Sequence, residues 1–491
     1  MVVKQIGALA ALSLGAISQQ WVVGATLTPV IVTGDAVGGA VFSNAGQVVL
    51  ADNGDVGMIA GLDSSDDAVL FSQYSGGGYT HSLVARDAQT IPGSSDLYAG
   101  FENLSLTTVG GASKLVFSSP TSSITKAGLF QSTNGGAASP IFYSGSGRTL
   151  LTSGSVGGPL GYGVSADGHV AFGTKNSGAQ ELHVDSVLNG IATGAITNFN
   201  QTQNAIPDQR YFVKRVALNS NSVVGVGTTA GTWGVYDFSG SLTPSPRYQT
   251  ISFGLGSYAP RRLLGATGAR SVVLAESLSD STNGGLFYEH AGSLTPVITG
   301  INPGGANAAS NDDPIGQMTA SGRVAAYLPD TGLIYYDSTV GLKQLSTGVH
   351  GATTINAFGL LFDPVLAPMV NDNGWVVFEA VLPGVAIGTE AILAWQPATD
   401  ILQVLVQTGD TVTINGVDRT ILGFNRANPS FDSDVLRDGL NESNQVAFSV
   451  STTGGAAVFT TSIVPEPGTP ALVVLSASLL LRRRRPSVAG R

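Results

Sequence analysis

Cysteine is absent from the 491 residues, which removes a disulfide scaffold, a thiolate metal site and a thiol nucleophile together. Charge is scarce: 11% of residues are Asp, Glu, Lys or Arg, against about 25% in an average soluble domain. The 23 basic residues are outnumbered by 33 acidic ones, so the basic footprint that nucleic acid needs is missing. Glycine, at 65, far exceeds proline, at 22, yet no Gly-X-Y period runs through the chain, and a collagen-like fold is excluded. With 43% hydrophobic residues and no long charge block, the composition argues against disorder as well.

Both ends carry apolar runs. Residues 1–25 read as a secretory signal: Lys4 supplies the positive charge, residues 6–17 are uncharged and apolar, and Val23, Gly24 and Ala25 offer a small-residue cleavage site. Val23 and Ala25 are its recognition positions. The competing reading, a buried N-terminal helix, would have a polar face of little more than Ser and Gln. At the other end Val464, Pro465, Glu466 and Pro467 precede an apolar run at 471–481, followed by Arg482, Arg483, Arg484 and Arg485. That run falls short of the ~20 residues of a spanning helix, and the arginines would lie on the cytoplasmic side. Residues 464–491 therefore predict a sorting signal, with a short hydrophobic C-terminal helix held transiently in the membrane.

This tail resembles the PEP-CTERM signal of bacterial surface proteins in its Pro465-Glu466-Pro467 triplet, its short helix and its arginine cluster. The resemblance implies export by the Sec machinery, cleavage near the triplet by exosortase, and a place at the cell surface or in the extracellular matrix. A plain tail anchor is the other reading. Removal of both ends leaves roughly residues 26–464, with 17 basic and 32 acidic residues and a net charge of −15. A protein that acidic stays soluble and avoids anionic surfaces.

The body is longer than the ~250–300 residues at which one core stops growing, and it repeats. The clearest copies are 165–172 (SADGHVAF) and 371–378 (NDNGWVVF); 441–448 (NESNQVAF) replaces the glycine with Asn444. Looser copies are 43–50 (SNAGQVVL), 219–226 (NSNSVVGV) and 319–326 (TASGRVAA), while 110–117 and 267–274 keep only the strand. Asn or Ser first and Gly fourth are the preferences of a type I turn. Asn tolerates the left-handed conformation that glycine adopts. The x-Val-Ala-Phe ending puts apolar groups on both faces, as in a strand buried on both sides.

Two more strand-like stretches follow each copy, except the last, which meets Pro465 after one. The missing stretch is spare at the N-terminus: residues 27–34 (LTPVIVTG) nearly duplicate 294–300 (LTPVITG). Eight units average about 55 residues, near the ~40–50 of known propeller repeats, and a closed ring leaves only short, protected edges. The fold class predicted is all-β, an eight-bladed β-propeller at 26–463 closed by an N-terminal strand. Seven blades is the close alternative, and an open β-solenoid the next. The repeat also resembles a tandem-repeat family of bacterial surface proteins with an Asn-x-x-Gly-x-x-Ala-Phe consensus and varied C-terminal anchors. That resemblance implies architecture and no site.

Chemistry is not written in the sequence. The five histidines, at 81, 169, 183, 290 and 350, show no metal-ligand spacing. Neither a nucleophile elbow nor a phosphate loop occurs. Acidic loops at 52–55, at Asp63 with Asp66 and Asp67, at 311–313 and at 432–434 could hold Ca²⁺ weakly, although Asp and Asn form ordinary turns for their own reasons. No catalytic residue, metal site or cofactor is expected. The expectation is an exported surface or matrix protein whose propeller binds or scaffolds without catalysis, associated with exopolysaccharide or another glycan. A secreted glycan-active hydrolase and a tail-anchored structural protein are the alternatives.

Overall fold

The computed structural model describes residues 26–463, apart from 64–65, 124–125, 144–147, 151–162, 165–169, 177–178, 185–195, 200–223, 230–231, 238–244, 249–250, 255, 267–269, 281, 302–314, 329–330, 360–367, 385–387 and 425–438. Both end segments, 1–25 and 464–491, lie outside the described residues, and with them the expected cleavage site, the triplet, the expected C-terminal helix and the arginines.

Every regular element described is a β-strand. Eight antiparallel sheets follow one another at residues 36–86, 102–143, 148–199, 224–248, 251–301, 315–345, 357–407 and 411–462, with a two-stranded ribbon between the sixth and seventh. Each sheet packs on the next, and the eighth packs on the first. The chain is an eight-bladed β-propeller.

Its core is a series of wedges between blades. Val376, Val377 and Phe378 are all buried in one strand, Val376–Leu382. Val377 enters the cluster shared with blade 8, whereas Val376 and Phe378 enter the one shared with blade 6. The doubly apolar strand of the repeat follows from that geometry, since a blade has a neighbour on each face.

Ring closure is by strand exchange. Thr28–Val32 pairs antiparallel with Gly455–Ser462 in the register Thr28↔Thr460, Pro29↔Phe459, Ile31↔Val458 and Val32↔Ala457, with a bulge at Val30. The first described strand is thus the last of blade 8. Thr33 fastens the exit, its hydroxyl lying 3.0 Å from the carbonyls of Ser43 and Ala456.

The repeat turns share one hydrogen-bond pattern. The first residue donates its N–H to the carbonyl four positions on and accepts from the N–H three positions on; this holds for Ala51, Thr319, Asn371 and Asn441. The fourth residue has positive φ each time: Gly54 at 89°, Gly322 at 89°, Gly374 at 82° and Asn444 at 60°. Asn444 stands in for glycine as its chemistry predicts. A Cβ on Gly374 would also meet Gln396 Oε1 and Tyr335 OH at 3.3 Å. Gly374→Ala is therefore expected to lower stability by about 1–2 kcal/mol, readable as a shift in the urea midpoint.

One copy was misplaced by its letters. Residues 43–50 were expected to form a turn and strand, but they belong to a first strand, Ala40–Leu50, whose register slips between Ala45 and Val48. The turn of blade 1 is at 51–55, and Val56–Leu62 is its second strand. The sequence pattern also passed over the first strand of each blade, which precedes the turn.

Candidate functional site

The turns do more than reverse the chain. Asn371 accepts from Trp375 N–H through Oδ1 at 3.1 Å, and donates through Nδ2 to Asn441 O at 3.0 Å and Asn444 Oδ1 at 2.8 Å. Asn441 repeats this: Oδ1 accepts from Ser443 and Gln445 N–H at 3.0 and 2.9 Å, and Nδ2 donates to Ala51 O at 3.0 Å. The second turn position supplies a carboxylate to the preceding blade. Ser321 N–H donates to Asp372 at 3.1 Å, Asp372 N–H to Glu442 at 2.7 Å, and Glu442 N–H to Asp52 at 3.0 Å. A polar clasp thus runs over blades 6, 7, 8 and 1 along one face of the ring.

Burial pushes Asp372 up, but hydrogen bonds from Thr319 and Ser321 and the nearby Arg323 charge outweigh it, leaving the carboxyl below its ordinary value. That contribution is present above the ordinary carboxylate range and is lost as pH falls through it.

A cavity of about 70 Å³ opens between blades 7, 8 and 1. A water needs at least ~10–15 Å³ measured in the same way, so a few waters or one small group would fit. Its walls come from interruptions in first strands. In blade 7, Ala357–Phe358 pairs with Ala380 and Val381 and Met369–Val370 pairs with Val376 and Val377, while Gly359 N–H donates to Glu379 O at 2.8 Å. In blade 8, Leu440 and Phe424 flank Phe448 and Ser449 in the same way. In blade 1 the gap is only the bulge at Gly46 and Gln47.

The terminal Phe of the repeat marks these gaps. Phe172, Phe378 and Phe448 occupy the same register of the repeat, and in blade 3 position 172 lies between the residues paired with Arg148–Leu150 and those paired with Gly163–Val164. Where the first strand of blade 6 is continuous, Ala326 takes this place opposite Gly316. In blades 7 and 8 the phenylalanine side chain fills space between neighbouring blades. Phe378 meets Phe358 with ring centroids 5.8 Å apart, and Phe448 meets Phe424 at 6.4 Å.

The cavity is mostly apolar, with Met369, Val377, Ile392, Phe424 and Phe448 beside the polar groups Gln47, Glu379 and Ser449. Gln47 is engaged with Leu104 of blade 2 through both ends of its amide, at 2.9 and 3.1 Å. Ser449 donates to Ala45 O at 2.9 Å. Glu379 is the one ionisable side chain on its described walls, so the site offers a small apolar recess beside a carboxylate.

The loops considered for calcium are held by internal bonds. Asp55 is buried and accepts from Ser113 Oγ, Tyr74 N–H and Asn53 Nδ2 at 2.6, 2.8 and 2.9 Å. Asp63 and Asp66 pair with Arg86 at 3.2 and 2.7 Å. Residues 311–313 and 432–434 lie outside the described residues, and no group of three metal-capable side chains occurs among those described. His81 shares a hydrogen bond with Ser72 at 2.9 Å, and burial lowers its pKa. Trp375 and Trp395 are buried between blades.

No family model and no curated protein matches the chain. Solved structures similar to it include a puromycin-hydrolysing peptidase of Mycobacterium tuberculosis, with a TM-score of 0.39 and 11% identity over 79% of this chain and 59% of that one. The β-propeller domain of the Trilobed protease from Pyrococcus furiosus, described as having an open velcro topology, gives 0.39 and 8%, over 74% and 96%. An oligogalacturonate lyase in complex with manganese gives 0.29 and 10%, over 75% and 98%. The chain spans less than two thirds of the mycobacterial peptidase. The expectation of a propeller without catalysis is thus left without support, since the similar structures include peptidases and a lyase. At such scores the likeness assigns this chain no substrate.

Proposed function

We propose that this chain is an exported bacterial surface protein, carried out on residues 1–25, processed by an exosortase within 464–491, and then associated with the cell's exopolysaccharide. The observation that supports it is the closure of the ring between those segments. Thr28–Val32 completes blade 8, and Ile463, buried and donating its N–H to Asn444 O at 2.8 Å, is the last described residue, directly before the Val464-Pro465-Glu466-Pro467 segment. Removing either end segment takes no described strand from the ring. The acidic mature body suits a protein that stays soluble after release.

Replacing Glu466 with Ala, or Arg482, Arg483, Arg484 and Arg485 with Ser, is expected to hold unprocessed protein in the inner membrane, as cell fractionation would read. Normal release of both variants would overturn the sorting reading.

A further inference from the structure

The two ends of the ring lie side by side. Gly455–Ser462 runs antiparallel to Gln445–Thr452 and finishes at the turn that opens it, where Ile463 bonds Asn444. The closing strand starts at the same end, since Thr461 Oγ1 donates to Thr26 O at 3.2 Å. Thr26 and Ile463, the described residues next to the two flanking segments, therefore both lie at the end of blade 8 that carries the turns and the clasp.

We infer that, while its tail is held in a membrane, the ring presents this turn-bearing face to the lipid surface and the opposite face outward. The inference rests on the proposed reading of 464–491 as a membrane-held signal.

Lengths decide between the orientations. Seven residues, 464–470, separate Ile463 from the apolar run, and at full extension they reach about 25 Å. A blade strand such as Gly455–Ser462, with eight residues, is itself about 26 Å long at ~3.3 Å per residue. To turn the opposite face toward the bilayer, the tether would have to climb the height of the ring and still reach the membrane. It is too short for that. The exposed acids at this face, Asp52 and Glu442, disfavour adhesion to anionic lipid, so the tether alone holds the ring there.

The absence of cysteine makes the test clean. Ala398→Cys places a thiol in the hairpin between Thr389–Gln396 and Ile401–Gln407, on the turn-bearing face. Leu278→Cys, at a residue 62% exposed, places one just beyond Arg270–Ser277, at the opposite end of a blade. Each full-length variant is labelled with bimane and reconstituted into phosphatidylcholine–phosphatidylglycerol vesicles carrying a headgroup nitroxide. The label at 398 is expected to be quenched at least twofold more than that at 278. Equal or reversed quenching in protein that floats with the vesicles overturns the orientation alone. Failure of the full chain to float with them overturns the membrane-held reading, and the orientation with it.

Discussion

Deleting residues 27–34 is expected to unfold the ring. The strand that would be lost contributes Val30, Ile31 and Val32, exposed by only 4, 1 and 6%. Burying a Val or Ile side chain is worth about 1.5–3 kcal/mol, so the three together supply roughly 4–9 kcal/mol. A domain's whole stability is about 5–15 kcal/mol. The deletion also bares the Gly455–Ser462 edge, an invitation to pair with another chain. A milder form, Ile31→Ala, is expected to cost about 2–5 kcal/mol. Denaturant unfolding and sedimentation read both variants. An unchanged midpoint in the deletion would mean that the ring is closed by something other than this strand.

The second large effect belongs to the clasp. Asn441 is buried, exposed by only 3%, and one side chain serves both its own turn and the turn of blade 1. Truncation to Ala leaves the Ser443 and Gln445 amides and the Ala51 carbonyl short of partners. At about 1–3 kcal/mol for a buried group left unsatisfied, a loss of roughly 3 kcal/mol is expected, with the urea m-value unchanged. Asn371→Ala should cost a similar amount at the interface of blades 7 and 8. Because Asn371 donates to the carbonyl of Asn441, the double variant should lose less than the sum of the two. Strict additivity would show that the two turns are not coupled through that bond.

What could be read from the sequence was local and repeated. The positive φ of Asn444, the doubly buried strand at Val376–Phe378 and the displaced closing strand all announce themselves within eight residues, because turn chemistry and alternation are short-range. First strands were harder to see. Val417–Phe424 carries exposed Val417 and Leu422, and Ala40–Leu50 imitates a turn with its Ser-Asn-Ala-Gly letters while its real irregularity is a bulge. Residues 43–50 look like a repeat, but the hydrogen bonds at Ala51 place the turn at 51–54, after that segment.

The seam cavity was not legible at all, since its walls come from Gly46–Val48, Met369 and Phe448, on three different blades. One signal was available and went unread. The Phe that ends the repeat stands where the first strand is broken, in blades 3, 7 and 8. Function was the least legible: missing motifs suggested a propeller without catalysis, yet motif-poor sequence says little about sites assembled from several blades.

The most direct test of an exported ring trimmed at both ends is the intact mass of the native protein recovered from cells and medium. The account predicts a chain beginning near Thr26 and ending near the Pro465-Glu466-Pro467 triplet, with or without added glycan mass. A chain that still ends at Arg491 would contradict it and make the protein tail-anchored.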